Sequence, residues 1–173
     1  LSDEEIRQGQ RLLEQLPDKA GTPPIALHPY ATHPDKAWKE AYWRQLMELF
    51  ESCGIPWIVI GRGSGMEGIP ASRNFTNRTS LRETCALLKS SSLLITGDSG
   101  PMHLAGAVGT PVLALFGPTT EEWGFFPAGP KDRVLESQLD CRPCTLHGKK
   151  HCDRNHACMQ SITPEQVMRA LDE

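Results

Sequence analysis

Residues 97–103 (GDSGPMH) place a carboxylate, a hydroxyl and two glycines between an apolar run and a helical pattern. A helix that begins here presents unpaired backbone N–H groups and a positive partial charge, which together attract an anion such as phosphate. Ser99 can add a hydroxyl, Gly100 permits close approach of a ligand, and His103 falls in the first helical turn. In the structural alternative, Ser99 is only a helix cap and the glycines serve only the turn. Asp98 favours a binding site, because a carboxylate at the end of a buried strand needs a partner such as a ligand hydroxyl or a cation.

Two further loops carry polar groups directly after apolar runs. The first, residues 31–38 (ATHPDKAW), supplies the hydroxyl of Thr32 and the ammonium of Lys36. Lys36 can offset the negative charge of a leaving group, although a solvated lysine before a helix is the more common case. The second, residues 61–67 (GRGSGME), is rich in glycine but lacks the lysine of a Walker motif and the full dinucleotide-binding pattern.

Four of the six cysteines fall in one loop-like segment at 140–160, namely Cys141, Cys144, Cys152 and Cys158. This local cluster differs from the dispersed cysteines of a disulfide-stapled secreted domain, so we expect a reducing, cytoplasmic setting. Four thiolates, with His147, His151 and His156 interleaved, are a candidate structural Zn²⁺ site. The two longer spacings are not those of a zinc ribbon, and we expect no metal cofactor. Cys53 and Cys85 lie in helical patterns, where small buried thiols are expected.

The elements that position these groups alternate between strand and helix patterns, which predicts an α/β fold with a parallel sheet and helices on both faces. Apolar runs predict strands at 24–28, 56–60, 93–96 and 111–116, with shorter ones near 74–76 and 133–135. Helices are predicted from capping boxes at Ser2, Ser80 and Thr163, from the apolar periodicity of 38–53, and from Pro101. Ligands bind outside the carboxyl ends of parallel strands, so 28–36, 61–67 and 97–103 should share one edge.

The chain has 173 residues, of which 39% are hydrophobic and 23% charged, as expected for one globular domain spanning 1–173. A net charge of −3 without a basic run argues against a nucleic-acid partner. No segment approaches the roughly 20 apolar residues of a membrane-spanning helix, and residues 1–5 lack the pattern of a signal peptide. Because the chain opens at Leu1 instead of Met, we expect a fragment that lacks an upstream domain.

Several motifs resemble the C-terminal half of glycosyltransferase family 9, the ADP-heptose:lipopolysaccharide heptosyltransferases. They are DSGPMHLA at 98–105, GTPVLALFGPT at 109–119, KAW at 36–38 and TSL at 79–81. The segments CRPC at 141–144 and ITPEQV at 162–167 are similar to the ending of the second-heptose enzymes. The central resemblance runs from Pro24 to Pro127 and, with that ending, covers nearly the whole chain.

The resemblance implies a two-domain fold of the GT-B type, in which this Rossmann-like C-terminal domain holds the donor and an absent N-terminal domain holds the acceptor. It also implies a role for eight residues in binding the donor. Thr32, Lys36 and His103 would lie at the phosphates, Ser99 and Gly100 would bind them through the helix start, Asp98 would reach the sugar, Thr79 the adenine and Glu67 the ribose. Gly97 stands where the family often has Asn.

The family reaction is an inverting displacement at the anomeric carbon, which needs a general base for the acceptor hydroxyl and stabilisation of the departing ADP. Lys36 and the helix that begins near Pro101 meet the second need, while the base would lie in the absent half. The resemblance therefore implies a fragment that binds ADP or ADP-heptose without turning it over. The acceptor would be the lipopolysaccharide core, at the cytoplasmic face of the bacterial inner membrane, with peripheral membrane association of the full-length protein.

Two other functions remain open from the sequence. One is a non-catalytic nucleotide-binding or metal-binding module that uses the same helix start to capture an anion. The other is half of a nucleotide-sugar epimerase with the same two-domain architecture, for which no active-site acids are identifiable in the chain.

Overall fold

A five-stranded parallel sheet in the order β2-β1-β3-β4-β5 forms the centre of the fold. The computed structural model describes residues 1–17, 21–145 and 152–172. The strands are β1 (Ile25–His28), β2 (Trp57–Val59), β3 (Leu93–Gly97), β4 (Val112–Phe116) and β5 (Arg133–Glu136). The apolar strands β1 to β4 are buried almost throughout, as expected for parallel strands covered on both faces. The predicted α/β fold is confirmed.

The helices are α1 (Asp3–Leu13), α2 (Glu40–Cys53), α3 (Leu81–Lys89), α4 (Gly100–Val108), α5 (Ala157–Gln160) and α6 (Pro164–Leu171). The capping boxes predicted at Ser2, Ser80 and Thr163 are all present, with both reciprocal hydrogen bonds. Gly54 and Gly109 end α2 and α4 in the left-handed conformation, with φ of 66° and 77°. Within the described ranges, no helix combines the length and apolar character needed to cross a membrane.

The hydrophobic core has two layers because side chains along each strand alternate between the faces of the sheet. In β1, Ile25 and Leu27 pack on one face and Ala26 packs on the other. The first face is covered by α2, α5 and α6, and the second by α1, α3 and α4. This sandwich fixes the carboxyl ends of β1 and β3 side by side, since the two strands pair in register from Ile25–Leu93 to His28–Thr96.

Three local predictions of element boundaries were wrong. The first helix, which Ile6, Leu13 and Leu16 predicted to continue to about Pro17, ends at Leu13. Only a single bridge, Val59–Asn74, forms where a strand was predicted at 74–76. The helix predicted from Trp38 begins only at Glu40, so Trp38 precedes α2. Its indole N–H instead donates to the carbonyl of Ile162 at 2.8 Å, and its ring packs edge-on against Trp43.

The two isolated cysteines are not the buried thiols that were predicted. Cys53, the last residue of α2, is exposed, and Cys85 is only partly buried. The buried side of α3 includes Thr84, Leu87 and Leu88, whereas Leu81 is 64% exposed. The capping box therefore identified α3 correctly, but of the apolar positions predicted in it, Leu81, Cys85 and Leu88, only Leu88 is fully buried.

Helices α1 and α3 touch at Gly9, where there is no room for a side chain. A Cβ at this position would lie 2.7 Å from the backbone C and O atoms of Ala86. We expect Gly9→Ala to lower the free energy of unfolding by about 2 kcal/mol, because overpacking outweighs the helical preference for Ala. Gly106→Ala is the matched control, since a Cβ there meets no atom within 4 Å, and it should be neutral or stabilising. Urea unfolding of both variants tests this, and a Gly9→Ala variant as stable as the Gly106→Ala variant would contradict it.

Candidate functional site

The sheet order creates a crevice at the carboxyl ends of β1 and β3. The chain moves from β1 outward to β2 and then back across to β3, so the loops after β1 and β3 diverge to opposite sides. Open α/β sheets bind ligands at such a switch point. A cavity of about 600 Å³ lies there, lined by His28, Tyr30, Ala31, Thr32, Gly61, Arg62, Thr79, Leu81, Thr84, Ser99, Gly100, Pro101 and Leu104. The three loops predicted to share this edge of the sheet all contribute lining residues to the cavity.

A larger cavity of about 780 Å³ lies at the opposite, amino end of the sheet. Its walls include Leu13 and Leu16 as well as Pro23 and Pro24, which precede β1. We place the functional site in the smaller cavity, because the polar loops and the start of α4 converge there.

The start of α4 carries no side-chain cap. The N-cap residue Ser99 makes no side-chain hydrogen bond to the helix backbone. Its Oγ lies instead 2.9 Å from Thr96 Oγ1 and 3.3 Å from His28 Nδ1. A Cβ at Gly100 would meet no atom within 4 Å, so the space in front of the helix is open. Ser99 is therefore not simply a helix cap, and the helix start keeps its positive partial charge directed at the cavity.

His28 ends β1 beneath the cavity and is only 6% exposed. Burial lowers the pKa of its imidazole to about 4, so the ring is neutral at pH 7. Its Nδ1 is 3.1 Å from Thr96 Oγ1, and its ring lies edge-on to Tyr30. The ring orients the hydroxyls of Thr96 and Ser99 without adding charge. Sequence analysis assigned His28 no role, although a polar residue at the end of an apolar strand was the available signal.

The buried imidazole makes stability depend on pH. The unfolded chain takes up a proton on His28 below about pH 6.5, whereas the folded protein resists protonation down to about pH 4. Stability is therefore lost as the pH falls through this window, by about 2 kcal/mol between about pH 6.5 and 4.5. Urea unfolding across this range should show the loss in the parent, and a His28→Gln variant should lack that component. An equal slope in both proteins would contradict the assignment.

Lys36 and Asp98 form an ion pair beside the cavity. Lys36 Nζ lies 2.5 Å from Asp98 Oδ2, and the two side chains are 14% and 10% exposed. Thr119 donates its hydroxyl to the same Oδ2 at 3.0 Å. The expected partner of the Asp98 carboxylate is therefore a cation of the protein itself, and Thr119 is a member of the cluster that sequence analysis missed.

The remaining predicted site residues divide into two groups. Thr32 and Thr79 line the cavity together with Ser99 and Gly100. Glu67 and His103 are exposed and are not among its lining residues. The carboxylate of Glu67 accepts the N–H of Gly65 at 3.2 Å. The proposed contacts of Glu67 with ribose and of His103 with phosphate stay predictions.

The C-terminal segment supports the loops that carry Lys36 and Thr119. His156 Nε2 lies 2.6 Å from Asp35 Oδ1, directly beside Lys36 in the chain. The guanidinium of Arg142 donates to the carbonyl of Thr119 at 2.9 Å and also to the carbonyls of Gly117 and Ser137. Arg142 and His156 thus support the two loops that carry the ion pair and Thr119, a role that their sequence did not reveal.

Within 1–17, 21–145 and 152–172, no group of three or more His, Cys, Asp or Glu side chains is arranged to hold a metal ion. Burial raises the pKa of the Cys158 thiol, and the neighbouring thiols of Cys144 and Cys152 raise it further. His147 and His151 lie outside the described residues. The zinc hypothesis stays untested. Metal analysis of protein purified without added zinc decides it, since absence of stoichiometric metal would end it.

Comparison with known proteins finds relatives of this chain both by sequence and by fold. The family model described as glycosyltransferase family 9 (heptosyltransferase) matches residues 2–153. Lipopolysaccharide heptosyltransferase 1 of Pseudomonas aeruginosa is 35% identical over 150 residues, which cover 80% of this chain and 40% of that protein. The fold is similar to that of E. coli ADP-heptose LPS heptosyltransferase II, with a TM-score of 0.73 and 22% identity, over 99% of this chain and 51% of that one.

A second solved structure, E. coli heptosyltransferase WaaC with ADP-2-deoxy-2-fluoro heptose, has a TM-score of 0.65 and 20% identity, over 95% of this chain and 47% of that one. The chain thus spans about half the length of these solved relatives or less. These neighbours confirm the Rossmann-like α/β fold. With the family model matched over most of its length, the chain belongs to glycosyltransferase family 9, the heptosyltransferase family.

Proposed function

We propose that this chain is the donor-binding domain of an inverting heptosyltransferase, and that it binds ADP-heptose for transfer of heptose to the lipopolysaccharide inner core. One observation carries the proposal. The start of α4 is uncapped, opens into the cavity at the switch point of the sheet, and lies beside the Lys36–Asp98 pair. Such a helix start receives the diphosphate of a sugar nucleotide through backbone N–H groups.

The rest of the cavity suits a nucleoside. Leu81, Pro101 and Leu104 offer apolar surface, and the hydroxyls of Thr79 and Thr84 lie 2.9 Å apart at the same wall. A flat base can pack on such a surface while hydroxyls reach its polar edge. In this arrangement Thr79 contacts the adenine, and Thr32 joins Ser99 and Gly100 at the phosphates.

The proposed reaction breaks the bond between the anomeric carbon of heptose and the diphosphate oxygen of ADP. The departing oxygen gains negative charge, which the helix start and the ammonium of Lys36 stabilise. Asp98, next in the chain to Ser99, orients that ammonium through Oδ2 and faces the sugar. The attacking hydroxyl approaches from the opposite side of the anomeric carbon, and its general base belongs to the acceptor-binding domain. This chain alone therefore binds the donor without turnover.

We place the full-length protein in the cytoplasm at the inner face of the bacterial inner membrane, where lipopolysaccharide cores are built. The acceptor would be held by an N-terminal domain, and membrane association would be peripheral. A protein that includes the upstream domain should transfer heptose from ADP-heptose. Tight ADP binding without transfer would support the non-catalytic module instead.

Calorimetric titration of the chain with ADP, UDP and GDP tests donor binding directly. We expect ADP to bind most tightly, and indifference to all three nucleotides would count against the proposal. Gly100→Val should weaken ADP binding at least tenfold, because its side chain would fill the open space that the diphosphate occupies. Gly106→Val in the same helix is the matched control, since space is open there too and no ligand is expected. Parent-like ADP affinity in Gly100→Val would remove the helix start from the site.

A further inference from the structure

The positive charge at and beside the cavity is too small to balance the negative charge of a diphosphate. The charge of the Lys36 ammonium is offset in part by Asp98 at 2.5 Å, and His28 is uncharged at neutral pH. A helix start contributes only about half a positive charge. Each phosphate of a sugar nucleotide carries a negative charge, and burying it without a partner is costly. The proposed ligand therefore calls for a further cation.

Arg62 is the one residue with a permanent positive charge among those lining the cavity in the described part of the chain. It follows β2 at the carboxyl edge of the sheet. Among the described residues it has no hydrogen-bond or ion-pair partner. The nearby arginines are all engaged: Arg44 with Glu40, Arg73 with Glu51 and the carbonyl of Trp57, and Arg78 with the carbonyls of Ala71 and Asn74.

The backbone on both sides of Arg62 is held firmly against the cavity wall. A Cβ at Gly61 would lie 2.8 Å from His28 Nε2, and one at Gly63 would lie 2.7 Å from Cγ of Tyr30. Gly63 also exchanges two hydrogen bonds with the side chain of Asn77, at 3.2 and 2.8 Å. The loop is therefore anchored while the guanidinium has no protein partner, which is the arrangement expected of a ligand-binding arginine.

We infer that Arg62 binds the diphosphate of the sugar nucleotide as a second cation beside Lys36, whose charge Asp98 offsets in part. This inference rests on the proposed function. A guanidinium offers planar N–H pairs that match two phosphate oxygens, and such charge-assisted hydrogen bonds are among the stronger ones in proteins. Arg62 thereby distinguishes a nucleoside diphosphate from an uncharged nucleoside.

Titration of ADP and adenosine against the parent, Arg62→Gln and Arg62→Lys tests the inference. Arg62→Gln should weaken ADP binding about 30-fold, with a smaller loss in Arg62→Lys, while adenosine binding changes less than about twofold. Raising the salt concentration should weaken ADP binding less in Arg62→Gln than in the parent. Lys131→Gln is the charge-matched control, since Lys131 lies just before β5 at the amino end of the sheet, and it should bind ADP as the parent does.

Two results would overturn the inference while leaving the proposed function intact. One is ADP affinity in Arg62→Gln within twofold of the parent. The other is an equal loss of adenosine and ADP binding, which would show that Arg62 supports the loop and not the phosphates. Failure of the parent itself to bind ADP would overturn the proposed function, and this inference with it.

Discussion

Replacing Lys36 by Met should weaken ADP binding about 100-fold. Lys36 presents the only ammonium of the Lys36–Asp98–Thr119 cluster, and two of its three N–H donors remain for a ligand after the bond to Asp98. Hydrogen bonds to charged groups contribute about 1.5–3 kcal/mol each, and removal of Lys36 also leaves the Asp98 carboxylate to repel the phosphates. Calorimetry with ADP measures the loss.

The Lys36→Met variant also leaves a largely buried carboxylate without its cation, which destabilises the fold on its own. The double variant Lys36→Met/Asp98→Asn separates the two effects, because it removes both charges together. It should regain most of the lost stability and still bind ADP at least tenfold more weakly than the parent. Lys39→Met is the control for loss of a nearby exposed ammonium, whose present partner is Gln160 at 2.9 Å. Parent-like ADP affinity in the double variant would show that Lys36 does not contact the phosphates.

Local patterns in the sequence predicted the elements well, because the physics of those elements is local. A hydroxyl at Ser2, Ser80 or Thr163 meets a carboxylate or amide three residues later, and each pair forms the predicted capping box. Apolar runs bounded by Gly and Pro identified the five strands. Parallel pairing then brought the polar loops to one edge, so Thr32, Ser99 and Gly100 line one cavity as their positions predicted. Thr79, whose role only the family resemblance implied, lines the same cavity.

Contacts between distant parts of the chain could not be read from those patterns. The Lys36–Asp98 pair joins residues 62 positions apart, and the His156–Asp35 pair joins residues 121 apart. Periodicity describes which side of an element is apolar, but it does not say which polar side chains meet. The pairing changes the chemical interpretation, because a lysine predicted to meet a ligand alone is already bound to a carboxylate.

The role of the C-terminal segment could not be predicted for the same reason, because it depends on contacts between distant residues. Its cysteines suggested a metal site, whereas the described contacts are made by Arg142 and His156, which reach the loops of Thr119 and Lys36. These two side chains have no distinctive spacing in the sequence. A segment whose thiols suggested a metal site thus supports the candidate site through its basic residues.

The loop after β2 is the second place where a small change should have a large effect. Gly61 has φ of 115°, a conformation that only glycine adopts readily, and the adjacent imidazole of His28 occupies the space that a Cβ would need. His28 is itself held by the hydroxyls of Thr96 and Ser99 at 3.1 and 3.3 Å. A side chain at Gly61 would therefore strain the backbone and push His28 against the start of α4.

Gly61→Ala should lower the free energy of unfolding by about 4 kcal/mol, with about half from the backbone conformation and half from the clash. Gly68→Ala separates the cost of the backbone conformation from the cost of the clash. Gly68 also has positive φ, at 81°, but a Cβ there meets no atom within 4 Å. It should cost only about 1–2 kcal/mol. Urea unfolding measures both variants, and combining Gly61→Ala with His28→Ala should cost less than the sum of the single changes. Strict additivity would show that the two residues are not in contact.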